Sequence, residues 1–588
     1  MVELQDVSFR YKGKARPVFQ GLSLSLSGNK VYGLLGENGT GKSTLLSLIS
    51  GLLRPTSGRV TVHCPSAQTP SARRPEFLRE MFLLPEEFEF PSLKLDAYVR
   101  INAPFYPRFS DEQFTHYLAA FGLTRDVHLG ALSMGERKKV FIAFALAANT
   151  RLLLMDEPTN GLDIPSKSQF RSVVAQCMTD ERTVVISTHQ VHDVEQLLDH
   201  VIILSHSRLD ASPLLLDAPM DTIARSYVFE TRPAGTDTSD ALYAEPSVQG
   251  LSVIRPREED EAETSVNLEV LFNAVIGPTP LPLPCREESE QGTANGDEDV
   301  ASAPIRLEGQ TQTIPLPTKE GAGGGSFLSL LRYLHCTYRR LPWLVLIAVV
   351  ALIILMLSID RAFQPTADYF FFSKHEMGFD LKVMYRQTFI IRDFGIIICL
   401  LLLLCCVLPY AGLGKKTART TWLMLPASNL CKTCVRVIGL FVVWLLAATV
   451  GVAIADGLRM LISLMTNPEM AQPAFGSYLD MMANTFNPVN LKTPWETGFY
   501  TFIFAFLMLC SALFRRAQWA WGILCLIVFR LGVGIMGSYV MPVFGIDTSA
   551  EWEPLWFGFC TLMTPVCIWL AHRIFCRWQL DGWRFTNL

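Results

Sequence analysis

Several things are missing from this 588-residue chain, and each absence narrows what it can be. It has no surplus of charge: 51 Lys and Arg stand against 55 Asp and Glu, a formal net of −4. That balance gives no basic footprint for nucleic acid. Its opening, MVELQDVSFRYK, has no charged-then-apolar leader, so no cleaved signal is expected. No repeat of solenoid period is present. Cysteine is not scarce, at 14, but it falls mostly within apolar spans or in the first 210 residues, where it suits reduced packing thiols rather than a disulfide framework. Cys431 and Cys434 form a CxxC without a second Cys or His pair nearby, half of what a zinc site normally needs. Long uncharged runs are missing too, until Leu341.

What is present divides the chain. Half the residues are apolar and mean hydropathy is positive, which leans towards a membrane protein. Residues 1–210 alternate short apolar runs with polar helices, the pattern of a soluble α/β domain. Residues 211–276 form an accessory segment of short apolar runs between turns. It carries an acidic patch at Arg257 to Glu263 and ends in a helical spacing over Val266 to Ile276. Residues 277–325, rich in Pro, Gly, Ser and Glu, read as a flexible linker. The stretch Ser326–Arg340 places Phe327, Leu330, Leu331, Leu334 and Tyr338 on one helical face, with Ser329, Arg332 and Arg339 opposite. Such a basic amphipathic helix would lie along the cytoplasmic membrane surface.

Residues 341–588 hold six apolar stretches: Leu341–Ser358, Phe394–Leu413, Val437–Ala455, Thr497–Phe514, Ala517 to near Val540, and Leu555–Ala571. Each is close to the ~20 residues that cross a hydrocarbon core as a helix. Lys415, Lys416, Arg419, Lys432 and Arg436 fill one connecting loop, Arg515 and Arg516 another, and Arg573, Arg577 and Arg584 follow the last span. The alternate loops are mixed or acidic, so both termini are expected on the cytoplasmic side of a multi-pass inner-membrane protein. Arg530 would be costly inside the fifth span, which is therefore expected to stop early at the Gly-rich segment after it.

The chemistry lies in the first domain. Gly36, Glu37, Asn38, Gly39, Thr40, Gly41, Lys42, Ser43 and Thr44 fit the phosphate-binding pattern G-x-x-x-x-G-K-[ST], between an expected strand and an expected helix. Its glycines let backbone N–H groups close around phosphate, Lys42 would reach the β- and γ-phosphates of ATP, and Ser43 would ligate Mg²⁺. LLLMDE reads as a buried strand ending in Asp156, suited to Mg²⁺, and Glu157, placed to polarise an attacking water. Another buried strand, Thr183–Ser187, is followed by His189.

Together with LSMGE at Leu132 to Glu136, these residues resemble an ABC (ATP-binding cassette) ATPase over about residues 1–210. The resemblance implies an α/β P-loop NTPase fold and several further roles. His189 would contact the γ-phosphate, Tyr11 would stack on adenine, and Asp163 would communicate between sites. Ser133 and Gly135 would complete the ATP site of a second copy, so a homodimer is implied. Three positions depart from the family pattern. Met134 replaces Gly, where the contact is largely through backbone and the Ser hydroxyl. Glu136 replaces Gln and adds a charge. Glu86 replaces the glutamine that approaches Mg²⁺, and a carboxylate cannot donate as an amide does.

ATPase first and six spans second resembles G-subfamily exporters and the type-two permease fold, an all-α six-span transmembrane domain. Within it, residues 413–436 would be the coupling element. The expected function is ATP-driven export of an unidentified substrate through the bilayer. A membrane signal or force transmitter that carries nothing is the alternative.

Overall fold

The computed structural model describes residues 1–277 except 12–15, 64–66, 206–213, 259–260 and 262. Beyond these it describes residues 329–334, 416–466, 552–576 and positions 502, 505, 506, 508 and 509. The linker 277–325 after its first residue, the first, second and fifth apolar stretches, most of the fourth, and Arg530 lie outside the described residues.

The chain opens with β1 (Val2–Phe9), β2 (Phe19–Leu26) and β3 (Val31–Gly36), then a loop and helix α1 (Lys42–Ile49). β4 (Ser57–His63) and β5 (Ala67–Gln68) precede α2 (Pro75–Glu80), β6 (Met81–Leu84), α3 (Leu95–Asn102) and α4 (Asp111–Ala120). Next come α5 (Met134–Ala147), β7 (Leu152–Asp156), α6 (Ile164–Cys177), β8 (Thr183–Thr188) and β9 (His200–Leu204).

An antiparallel sheet of order β2-β1-β4-β5 packs beside a larger one that runs β9-β3-β8-β7-β6. The latter's strands are parallel. β3, β7 and β8 are buried at every position. That explains their continuous apolar sequences, since a parallel sheet covered on both faces leaves no strand side for water. Register then fixes the site: Leu35 lies opposite Thr188, and Asp156 opposite Ser187. The C-terminal ends of three central strands therefore open onto one edge, where open α/β sheets bind ligands.

The chain continues with β10 (Leu214–Pro219), antiparallel to β9, and α7 (Met220–Ser226). Strands β11 (Tyr227–Arg232), β12 (Tyr243–Ser247) and β13 (Gly250–Pro256) make a separate antiparallel sheet of order β11-β13-β12. The helical spacing expected at Val266 to Ile276 is α8 (Leu268–Ile276), whose N-terminus is capped by Asn267 accepting from the backbone N–H groups of Glu269 and Val270. Within the acidic patch, Arg255 pairs with Glu261 and Arg257 with Glu263.

Residues 329–334 are helical, with Leu330 and Leu334 buried and Arg332 exposed. Ser329, placed on the polar face by the sequence, is buried as well. α9 (Lys416–Met424), α10 (Asn429–Thr466) and α11 (Trp552–Cys576) complete the described elements. The expected span Val437–Ala455 lies inside the longer α10, and Leu555–Ala571 lies inside α11. Trp422, Leu423, Met424, Leu425 and Ala427 join the same continuous apolar core as the N-terminal domain. Along α10, Leu446, Val450, Ile454, Leu458, Leu461 and Met465 are exposed at helical spacing, as are Phe559, Leu562, Val566 and Trp569 along α11.

Candidate functional site

The loop between β3 and α1 is held in shape by its glycines and by Lys42. Gly41 sits at φ 104°, and a Cβ there would lie 2.7 Å from Val18 and 2.8 Å from Phe19, so only glycine fits. Lys42 is buried and donates to the carbonyls of Gly36 (2.7 Å) and Glu37 (3.1 Å). Its ammonium therefore closes the loop that supplied it. Burial pulls its pKa below the ordinary lysine value, opposed by the charges of Glu157, Asp156, Glu86 and Glu37. The Thr40 hydroxyl donates to the Glu37 carbonyl at 2.9 Å, tightening the same turn. Ser43 is exposed, and Thr44 is buried with its hydroxyl 2.8 Å from that of Tyr11. Tyr11 thus stands beside the start of α1, its ring edge-on to Phe9 at 4.9 Å.

The two acids follow from the end of β7. Ser187 Oγ donates to Asp156 Oδ1. Glu157, only 6% exposed, has φ 47°, a left-handed backbone that costs a non-glycine residue ~1–3 kcal/mol. Its N–H donates to the Ser187 carbonyl at 3.0 Å. On its carboxylate, Thr188 Oγ1 donates to Oε2 (3.2 Å) and His189 Nδ1 lies 2.8 Å from Oε1. The strain is held in place from both sides. Sequence reasoning missed Lys138 on α5, which is buried and donates to the carbonyls of Glu157 (2.6 Å) and Asn160 (2.8 Å). Burial lowers its pKa too, against the charges of Glu86, Glu157 and Asp156. Asn160 Nδ2 reaches Glu86 Oε1 at 3.4 Å, which brings Glu86 to this group.

Ser133, Gly135 and Asp163 form a second group. Ser133 caps α5 in a reciprocal box: its N–H and its hydroxyl donate to Glu136 Oε2 (2.9 and 2.8 Å), and Glu136 N–H donates back to Ser133 Oγ at 3.3 Å. Hydrogen bonds from Ser133 hold the Glu136 carboxyl below its ordinary pKa. Gly135 lies against the Gly161 backbone, whose carbonyl oxygen would be 3.3 Å from an added Cβ. Asp163 caps α6, accepting from Ser166 N–H at 3.0 Å. On this face Met134 and Ile164 are 81% and 85% exposed.

Lys42, Ser43, Glu86, Asp156, Glu157 and His189 are thus collected around one strand edge, while Ser133, Gly135 and Asp163 mark a separate exposed face. Among the described residues no cluster of three or more His, Cys, Asp or Glu could hold a metal alone, and neither Cys431 nor Cys434 is in a disulfide.

Residues 19–160 match a family model described as ABC transporter. A fluoroquinolones export ATP-binding protein of Mycobacterium tuberculosis (strain CDC 1551 / Oshkosh) is 30% identical over 234 residues, 38% of this chain and 74% of its own. The ABC transporter ATP-binding protein NatA of Bacillus subtilis (strain 168) is 30% identical over 226 residues, 35% of this chain and 85% of its own. A taurine import ATP-binding protein, TauB of Pseudomonas savastanoi pv. phaseolicola (strain 1448A / Race 6), is 31% identical over 210 residues, 35% of this chain and 78% of its own. Export and import names both occur among these relatives, and the matches to all three cover less than half of this chain.

Proposed function

The chain belongs, through its N-terminal ATPase domain, to the ABC transporter family, and from that premise we propose how its residues divide the work of an ATP-driven exporter. ATP is its nucleotide, Mg²⁺ the accompanying ion, and hydrolysis its reaction. Lys42 exchanges the carbonyls of Gly36 and Glu37 for the β- and γ-phosphates, while the N–H groups of Gly39 to Thr44 close around them. Ser43, Asp156 and Glu86 offer the hard oxygen donors that Mg²⁺ prefers, and the Ser187 hydroxyl steadies Asp156 for that task. The ion, when bound, neutralises charge on the phosphates.

The observation that carries the reading is Glu157, with its carboxylate fixed between Thr188 and His189 at the end of β7. So placed, one carboxylate oxygen orients and polarises a water for attack on the γ-phosphorus, and His189 is positioned towards the same phosphate. Tyr11, beside Thr44, supplies a face for adenine. Ser133 and Gly135, on the exposed face with Met134 and Ile164, serve the ATP held at Lys42 of a second copy, and Asp163 meets that copy beside them. Two sites then close together.

The membrane half is the six-span permease expected from the sequence. Two features support it. Residues Gly558–Cys576 form a helix long and apolar enough to cross a bilayer, the one such helix among the described residues. The exposed apolar stripes of α10 and α11 also need lipid or another helix against them. The 416–436 hairpin, sharing a core with the ATPase, would carry closure to the spans and drive export of a substrate.

Hydrolysis by the purified chain in lipid tests the assignment. Glu157→Gln is expected to lower turnover at least ~100-fold while ATP is still retained. Turnover unchanged by Glu157→Gln would remove the residue from the chemistry, and vesicles that accumulate no cargo with ATP would count against export.

A further inference from the structure

We propose that Arg54 and Arg73 are positioning residues that tie the nucleotide-binding helix α1 to the end of α11, a coupling route separate from the 416–436 hairpin. The proposal rests on the reading that ATP binding is coupled to the membrane half. Its path is short and built of close contacts. α1 starts at Lys42 and ends at Ile49, and the Leu53 N–H donates back to the Ser47 carbonyl at 2.9 Å. Between them Gly51, at φ 76°, turns so closely against the next strand connection that a Cβ would lie 2.1 Å from the Pro70 carbonyl oxygen. Nothing larger than glycine fits, so α1 and the Pro70–Arg73 corner move as one body.

Both sides of that corner then reach the same atom. Arg54 donates to the Ser71 carbonyl (3.3 Å) and to the Cys576 carbonyl (3.2 Å). Arg73 donates to the Cys576 carbonyl at 2.6 Å, from a left-handed backbone (φ 48°) whose N–H is tied to the Pro70 carbonyl at 2.8 Å. Two guanidinium groups thus converge on one peptide oxygen in the last described turn of α11.

Arg73 is 1% exposed. Burial and neighbouring Arg54 lower its pKa to about 10, with Cys576 acting the other way. Burying a guanidinium is costly, and a simple packing role would be filled better by an apolar residue. On the far side of the contact, His572 lies 3.1 Å from Thr433 Oγ1 at the start of α10 and 3.4 Å from Cys576 Sγ. Buried Lys432 donates to the Leu423 carbonyl at 2.9 Å, closing the hairpin. α11 is therefore held by the ATPase directly as well as through the hairpin.

Hydrogen exchange on the full chain in lipid discs separates the two routes. The parent carries Glu157→Gln so that ATP is retained. Adding ATP is expected to change exchange across residues 566–576 and across 416–436 by about threefold or more. Arg54→Met with Arg73→Met removes the donors, keeps apolar bulk and relieves a buried charge. It should reduce the response at 566–576 about threefold, the remainder arriving through the His572–Thr433 contact, while ATP retention and the response at 416–436 persist, and restoring a donor with Arg73→Lys should recover part of it. An undiminished response at 566–576 in the double Met variant overturns the route. So does a parent that responds at 416–436 alone, or a double Met variant in which both segments fall silent together. A parent that retains ATP with neither segment responding instead sinks the coupling reading beneath it.

Discussion

At position 136 a single exchange alters what its neighbour's hydroxyl can do. Glu136 takes both the N–H and the hydroxyl hydrogen of Ser133. If Ser133 serves a partner's γ-phosphate, two anions compete for that one hydrogen. Glu136→Gln, which keeps an acceptor but removes the charge, is expected to lower the ATP concentration for half-maximal hydrolysis about threefold. A titration that leaves half-saturation where it was would show that the hydroxyl exchanges freely. The S-x-x-E spacing of a capping box is visible in the sequence, although the family pattern by itself shows Glu136 only as an added charge. The phosphate loop, the paired acids and His189 were legible because each motif is local and ends a strand. Lys138 was not, because a lysine on a helix reads as a solvated one until packing folds it onto the Glu157 and Asn160 carbonyls. Nor does any residue pattern announce that Glu157 takes a left-handed backbone.

Among the elements, α8 came through plainly because its apolar spacing and Asn267 cap are both local signals. The antiparallel sheet before it did not, since pairing of β11 and β12 with β13 depends on contacts across turns that weak apolar runs do not specify. What α8 docks against is also a tertiary fact. His192, in the turn just after His189, lies between Glu269 of α8 and Glu195, and Leu268 N–H donates to Glu195 at 2.8 Å. Burial pulls the His192 pKa down, but bonds and charge from Glu269 and Glu195 more than reverse this and leave it raised. A folded-state value above the unfolded one means the stabilising term is fully present below the ordinary histidine range and is lost as pH rises through the raised value. Hydrogen exchange of residues 268–276 should therefore quicken from pH 6 to pH 8 beyond the intrinsic rate change. In His192→Gln that excess is expected to vanish, and an identical excess in the variant would place the titration elsewhere.

For the molecule as a whole, the N-terminal ATPase was legible from its motifs and the proposed membrane half follows from where charge disappears, while the hold of Arg54 and Arg73 on Cys576 joins residues far too distant in sequence for any pattern to pair them. The apolar stripe of α10 has a length as well as a face. From Leu446 to Met465, at ~1.5 Å per residue, it runs roughly 29 Å, close to the ~30 Å of a typical hydrocarbon layer. It also reaches past Ala455, where the sequence alone ended that span. If α10 spans the bilayer as proposed, a ruler of this length makes the protein sensitive to acyl-chain length, because mismatch must be met by tilt or by deforming the lipid. Turnover is expected to peak in phosphatidylcholine of about 18 carbons and to fall about twofold at either ~14 or ~22. A flat profile would mean that another helix, and not lipid, covers the stripe. On the first outcome, the thickness of the host membrane becomes a control on how fast this chain uses ATP.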